Sequence, residues 1–132
     1  MSEKKPPSEV IIYTTPDEDV EVQLKIAEQT AWLTQLEMTE LFQTTKQNIS
    51  LHINNIFDEG ELRPNSVVKE YLTTAADGKK YRTKHYNLDV ILAVGYRVRS
   101  ESGKQFRKWA TTTLREYLVK GFVMNDERLK DP

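Results

Sequence analysis

The side chains best suited to a chemical task lie in one amphipathic stretch, MTELFQTTKQNISLHINNIF, residues 38–57. Ile49, Ile53 and Ile56 recur at helical spacing and predict a helix with one buried face. The outward face then carries amides and hydroxyls, and Asn and Gln are the side chains that bond the edge of adenine. The candidate DNA contacts in this helix are Thr45, Lys46, Gln47, Asn48, Ser50 and Asn54. The pattern indicates a helix that reads DNA, or a helix whose polar face is only solvated.

A shorter amphipathic helix precedes this one, and the pair is typical of a helix-turn-helix. Thr34 and Glu37 have the spacing of a capping box, which predicts where the first helix begins. Thr44 or Thr45 can cap the second helix and would lie where phosphates are bound. The joint has Gln43 where many such motifs have glycine. The second helix of such a motif enters the major groove, so these residues predict DNA contact.

A basic β-hairpin follows the helix pair. VVKEYLTTAA and KKYRTKHYNL are rich in β-branched and aromatic residues and meet at Asp77-Gly78. A two-residue loop there, or a four-residue loop from Ala75, would place Tyr71 on the face of Arg82 and Lys84, and Leu72 on the face of His85. The predicted phosphate contacts of this wing are Lys79, Lys80, Arg82 and Lys84. The alternative is an edge hairpin kept soluble by its lysines.

The charge of the chain is unevenly distributed. The net charge is −1, yet residues 79–108 contain nine Lys and Arg against two Asp and Glu. A local basic segment is the electrostatic footprint of a protein that binds a polyanion. Helix-surface solubility would explain part of it equally well. The further candidate DNA contacts are Arg97, Arg99, Lys104, Arg107 and Lys108.

Residues for catalysis or metal binding are sparse. The two histidines, His52 and His85, fall in different predicted elements, and neither has a carboxylate at metal-ligand spacing. The chain has no cysteine, and its isolated glycines form no phosphate-binding loop. We therefore predict that the domain is not an enzyme, and we predict no catalytic residue, metal or cofactor.

The remaining segments complete an α+β domain of the winged helix-turn-helix type. VEVQLKI alternates as a strand does, and EQTAWL is its predicted return strand, so an N-terminal β-hairpin precedes the helix pair. The basic hairpin is the wing, and two C-terminal helices follow it. Asn87 is predicted to cap LDVILAVGYRV, and Ser102 to cap a last helix that Gly121 ends. ELRPNS, interrupted by Pro64, is predicted as a loop.

Composition suggests the domain boundaries. Residues 1–19 contain three prolines and are predicted to be a flexible tail, with VIIY as an edge strand. Residues 20–122 form one domain, and residues 123–132 are a polar tail or the start of a C-terminal region. No segment resembles a signal peptide or approaches the ~20 apolar residues of a membrane span. We expect a cytoplasmic protein that does not bind membranes.

The chain from about Val10 onward resembles the RhuM family of virulence-associated bacterial proteins, which are often carried on mobile elements. The distinctive strings are TTKQNISLHINNIF, HYNLDVILAVGYRVRS and QFRKWAT. A weaker likeness extends to the N-terminal domains of phage antirepressors, in which an FRKW-like basic helix also follows a hairpin. The family resemblance implies a DNA-binding or regulatory role, in a family whose members are typically longer than 132 residues.

Two classes of partner follow from these patterns. The leading hypothesis is a module that binds double-stranded DNA, with the last helix as the candidate interface of a homodimer. The alternative is a protein-interaction domain, similar to an antirepressor, in which the helix pair or the apolar stripe from Phe106 to Leu118 docks a protein partner. A more distant alternative is a targeting domain for an enzyme whose catalytic part lies in a C-terminal region.

Overall fold

A computed structural model describes residues 7–15 and 20–121, so the predicted tails at 1–6 and 122–132 and the acidic segment at 16–19 lie outside the described residues. The fold is α+β, with one antiparallel five-stranded sheet of order β1-β2-β3-β5-β4 and five helices. The strands are β1 Val10–Thr14, β2 Glu21–Ala27, β3 Thr30–Leu33, β4 Val68–Thr74 and β5 Lys80–Asn87. The helices are α1 Gln35–Phe42, α2 Lys46–Asp58, α3 Pro64–Val67, α4 Leu88–Val98 and α5 Glu101–Trp109.

The N-terminal strands form a meander, and VIIY is its edge strand, as predicted. Glu28 and Gln29 connect β2 to β3 with positive φ angles of 56° and 64°, the two-residue turn whose twist matches antiparallel strands. β3 then pairs with β5, Leu33 opposite Tyr86. This pairing joins the basic hairpin to the meander in a single sheet.

One face of the sheet and the helices enclose the core. Ile49, Ile53 and Ile56 of α2 are buried, which confirms the predicted stripe. Phe106 of α5 is also buried, with its ring centroid 5.2 Å from that of Tyr13 in β1. The last helix therefore uses the stripe from Phe106 to Leu118 inside its own domain. The core members are Tyr13, Val22, Leu24, Ile26, Ala31, Leu33, Met38, Leu41, Phe42, Ile49, Ile53, Ile56, Val67, Tyr86, Val90, Ile91, Val94, Phe106, Ala110, Leu114 and Leu118.

Two local predictions are corrected by the structure. Ser100, rather than Ser102, caps α5, because its hydroxyl accepts the N–H of Gly103 at 3.0 Å. Pro64 begins the short helix α3 instead of lying in a loop, a place where its fixed φ and missing N–H are tolerated. Gly121, predicted to end the last helix, still lies within its last helical segment, and the residues after it lie outside the described part.

The register of the basic hairpin is the largest correction. Tyr71 pairs with Thr83 and Leu72 with Arg82, one position away from both predicted loops. The cause is a three-residue loop closed by the pair Ala75 and Lys79, with Gly78 at φ +81°. A glycine with positive φ after a tight turn makes the extra bulge residue that shifts the register.

The last helix widens after Trp109. Ala110–Leu114 and Tyr117–Gly121 are π-helical, and the N–H of Arg115 donates to Ala110 O, five residues back. The hydroxyls of Thr111 and Thr112 donate to the carbonyls of Arg107 and Lys108, each at 2.8 Å. Such threonine bonds to the preceding turn compete with the regular helical pattern and favour the wider winding.

Candidate nucleic-acid interface

The start of α1 is fixed by its predicted capping box. Thr34 Oγ1 accepts the N–H of Glu37 at 3.1 Å, and the carboxylate of Glu37 accepts the N–H of Thr34 at 2.8 Å. Lys25 Nζ of β2 also donates to this carboxylate, at 2.8 and 2.9 Å. The capping pair therefore ties the first helix to the sheet as well as beginning it.

The joint between α1 and α2 is a three-residue turn. Gln43 ends α1 in the left-handed region, at φ 55° and ψ 52°, so a glutamine adopts the conformation for which glycine is typical. Thr45 caps α2 and accepts the N–H of Asn48 at 3.1 Å. The side-chain amide of Asn48 donates to Thr44 Oγ1 at 2.8 Å. Asn48, a predicted base contact, is thus engaged in holding the joint.

The outward face of α2 carries Lys46, Gln47 and Asn54, all exposed, around a shallow depression that Ser50 also lines. Leu51 lies among them with 55% of its surface exposed. Leu51 was not among the predicted contacts, although its position one turn after Gln47 was the available signal. An apolar side chain in a polar helix face is suited to contact the thymine methyl group.

A polar relay fixes α2 relative to the hairpin. Ser50 Oγ of α2 donates to Gln35 Oε1 of α1 at 3.0 Å, and Gln35 Nε2 donates to the hydroxyl of Tyr86 in β5 at 3.3 Å. Ser50 is therefore, like Thr45 and Asn48, a predicted DNA contact that has a partner inside the domain. Through Gln35, the orientation of α2 is coupled to the strand that carries the basic residues.

The basic side chains of β5 follow one face of the hairpin. Lys80, Arg82 and Lys84 alternate on the face of Tyr86, which packs into the core beneath the helices. Lys79 lies in the loop, where its N–H donates to Asp77 Oδ1 at 2.9 Å. The row of cations therefore lies on the face of the sheet that carries the helices, beyond the edge of the core.

The other face of the hairpin is aromatic. His85 is 1% exposed, and its ring centroid lies 4.9 Å from that of Tyr71. Tyr71 in turn packs edge-on against Trp32 of β3 at 6.4 Å. Burial lowers the pKa of His85 below its usual value, so the ring is neutral in the cluster near pH 7. This cluster packs the base of the hairpin against Trp32 of β3, on the face opposite the cations.

The helix face and the basic hairpin form one continuous surface. A groove between the helix pair and the hairpin is lined by Lys46, Arg82 and Lys84. Lys46 also lines the depression on the outward face of α2. We call this the α2–hairpin surface, and its members are Lys46, Gln47, Ser50, Leu51, Asn54, Arg82 and Lys84.

A second basic surface lies between α4 and α5 and shares no lining residue with the first. Arg107 stacks on the exposed ring of Tyr96, 4.6 Å from its centroid. Close packing of the helices holds this pair, because a Cβ on Gly103 would lie 3.0 Å from the carbonyl oxygen of Gly95. We call this the α4–α5 surface, and its members are Leu92, Ala93, Tyr96, Lys104, Arg107 and Lys108, with Glu61 and Asp89 at its rim.

Arg97 and Arg99, the two predicted contacts at the C-terminal end of α4, are not members of either surface. Arg97 donates to Glu59 at 2.8 Å and to Glu61 at 2.7 Å, at the C-terminal end of α2. These hydrogen bonds raise the pKa of Arg97. Burial lowers the pKa of His52, and the nearby charge of Arg97 lowers it further. Arg99 ends α4 in the left-handed region, at φ 59°. The fifteen predicted contacts are therefore divided among several regions of the molecule.

The described residues contain no group of three potential ligands that could hold a metal ion. Over the same ranges, no helix has the length and apolar character needed to cross a bilayer.

Comparison with known proteins gives one match. The family model described as "Virulence protein RhuM family" matches residues 66–132, just over half of the chain. That range contains the basic hairpin, α4 and α5, and excludes α2. No curated protein and no solved structure matches the chain.

Proposed function

The chain belongs to the virulence protein RhuM family, and on this premise we propose that it is a DNA-binding regulatory module. In this proposal α2 enters the major groove as the second helix of a winged helix-turn-helix, and the basic hairpin contacts phosphates. The domain itself performs no catalysis and needs no cofactor. The family match carries no DNA-binding assignment, so the proposal depends on the geometry of the α2–hairpin surface.

The observation that carries the proposal is the position of Lys46. This residue begins α2 and lines both the depression on the helix and the groove that contains Arg82 and Lys84. A duplex seated on α2 would therefore meet the hairpin cations without a break in the surface. Phosphate contacts fix the register of a protein on DNA, while side chains in the groove read the bases.

Base reading in this arrangement is assigned to three side chains at successive turns of α2. Gln47 and Asn54 are suited to adenine, and Leu51 between them is suited to the thymine methyl group. They are spaced four and three residues apart and share one helical face. Asn48 and Ser50 take supporting roles, because their side chains bond Thr44 and Gln35.

The test is a fluorescence anisotropy titration over a salt series, with a labelled mixed-sequence duplex of about 21 base pairs, two helical turns. The logarithm of affinity should fall against the logarithm of salt with a total slope of about −3 to −6. The double variant Arg82→Ala/Lys84→Ala should reduce the steepness by about 1.8, since each phosphate neutralised contributes about 0.9.

The matched control is Lys104→Ala/Lys108→Ala, which removes the same charge from the α4–α5 surface. Its slope should equal that of the unmodified protein. Equal losses in both variants would show that binding follows net charge, and an absence of binding at low salt would remove the DNA-binding proposal.

A further inference from the structure

The cations of the α4–α5 surface lack partners within the described residues. Lys104, Arg107 and Lys108 form no ion pair there, although Arg97 nearby is bound by two glutamates. Holding three like charges on one helical face is unfavourable unless something neutralises them. These three cations are therefore available to bond a carboxylate or a phosphate.

Arg107 is held in place ahead of any ligand. Its guanidinium stacks on Tyr96, whose ring is 72% exposed, and its side-chain stem lies 3.6 Å from where a Cβ of Gly95 would be. Its Nε is buried without a hydrogen-bond partner in the described part of the chain. The terminal nitrogens form no hydrogen bond there either, and a planar, stacked guanidinium loses little freedom when it binds a carboxylate.

The rest of the surface selects between the two classes of anion. Leu92, Ala93 and the ring of Tyr96 give it an apolar floor, and Glu61 and Asp89 add carboxylates at its rim. Glu61 is already paired with Arg97, at 2.7 Å, so its charge is compensated. The apolar floor is what favours a protein segment, whose apolar side chain can be buried there while its charges bond the cations.

The opposite face of the same helix is occupied. Phe106 and Leu114 are buried in the domain core, so the apolar stripe named in the sequence analysis is not available to a partner. Any protein that docks on α5 must use its basic side. A protein can dock on this side of α5 whether or not the α2–hairpin surface binds DNA.

We propose that the α4–α5 surface binds an acidic segment of a partner protein. An apolar side chain of that segment seats on Tyr96 and Leu92, and its carboxylates bond Lys104, Arg107 and Lys108. The aromatic floor supplies burial, and the cations supply orientation and the rate of encounter.

A phage-displayed random peptide library is first depleted of phage that bind an immobilised Lys104→Glu/Lys108→Glu variant. The remaining phage are then selected on the immobilised full chain. Enriched peptides should carry at least two Asp or Glu close to an aromatic or aliphatic residue. A fluorescein-labelled synthetic copy of the most enriched peptide is then measured by anisotropy. Its affinity should fall about tenfold in the depletion variant and in Arg107→Ala.

The matched control is Lys80→Glu/Lys84→Glu, which has the same net charge and should bind the peptide within about twofold of the unmodified chain. Circular dichroism and thermal unfolding verify the fold of each variant. Failure to enrich peptides over the depletion variant, or enrichment of peptides without carboxylates, would overturn the proposal. So would displacement of the peptide by duplex DNA that persists in Arg82→Ala/Lys84→Ala, which would assign the surface to nucleic acid.

Discussion

The α2–hairpin surface and the α4–α5 surface have similar cations and are held by different means. In the first, hydrogen bonds through Gln35 connect α1, α2 and β5. In the second, two glycines let α4 and α5 approach so closely that Arg107 lies over one of them. Hydrogen bonds hold the first surface across three separate elements, and packing holds the second within one pair of helices. Equal charge therefore does not imply an equal structural role.

The largest expected effect tests the close packing. Gly103→Ala would bring a Cβ within 3.0 Å of the carbonyl oxygen of Gly95, a backbone atom that cannot move aside. We expect the free energy of unfolding to fall by about 1–3 kcal/mol, as in other overpacked sites, measured by urea denaturation. Amide NMR shifts should change around Tyr96 and remain unchanged around Gln47. Ser102→Ala is the control, and equal stability of the two variants would contradict the packing argument.

A smaller effect tests the polar relay. Gln35→Ala removes one hydrogen bond to Ser50 and one to Tyr86, which should lower the free energy of unfolding by about 1 kcal/mol. DNA affinity should fall as well, although Gln35 is not among the proposed base contacts, because α2 loses its fixed orientation. Gln105→Ala on α5 is the matched control. Unchanged affinity with lowered stability would show that α2 is positioned without the relay.

The smallest effect tests how the exposed apolar residue of each surface is used. Replacing thymine by uracil in a selected site removes one methyl group, which should cost about 0.8 kcal/mol, or about fourfold in affinity, for the unmodified protein. In Leu51→Ala the same replacement should have no effect, and in Tyr96→Ala it should retain its full effect. Equal sensitivity of all three proteins would remove Leu51 from base reading while leaving DNA binding intact.

Local signals predicted most of the secondary structure. The capping box at Thr34 and Glu37, the cap at Asn87 and the isoleucine stripe of α2 each involve residues within one or two helical turns. Such patterns act through neighbours in sequence and can be read without the fold. The five strands and the boundaries of α4 were recovered for the same reason, whereas the pairing of β3 with β5 that joins the strands into one sheet was not predicted.

The predictions that were wrong or incomplete concern features that depend on contacts between distant parts of the chain or on a single backbone angle. The register of the hairpin depends on Gly78 adopting a positive φ inside a three-residue loop, and the sequence is compatible with shorter and longer loops. The internal partners of Ser50 and Asn48 depend on how α1 and α2 pack. The division of the cations into two surfaces depends on the whole fold, since sequence proximity placed Lys84 and Lys104 in one basic segment.

The π-helical winding of the last helix affects whether a residue can be deleted from it. The buried residues Phe106, Ala110, Leu114 and Leu118 are spaced by four throughout, where an ordinary helix alternates between three and four. Removing Thr112 would give spacings of four, three and four, and would let a regular helix bury the same side chains. The segment therefore contains one residue more than its packing requires, and a deletion there should be far better tolerated than a deletion in α2.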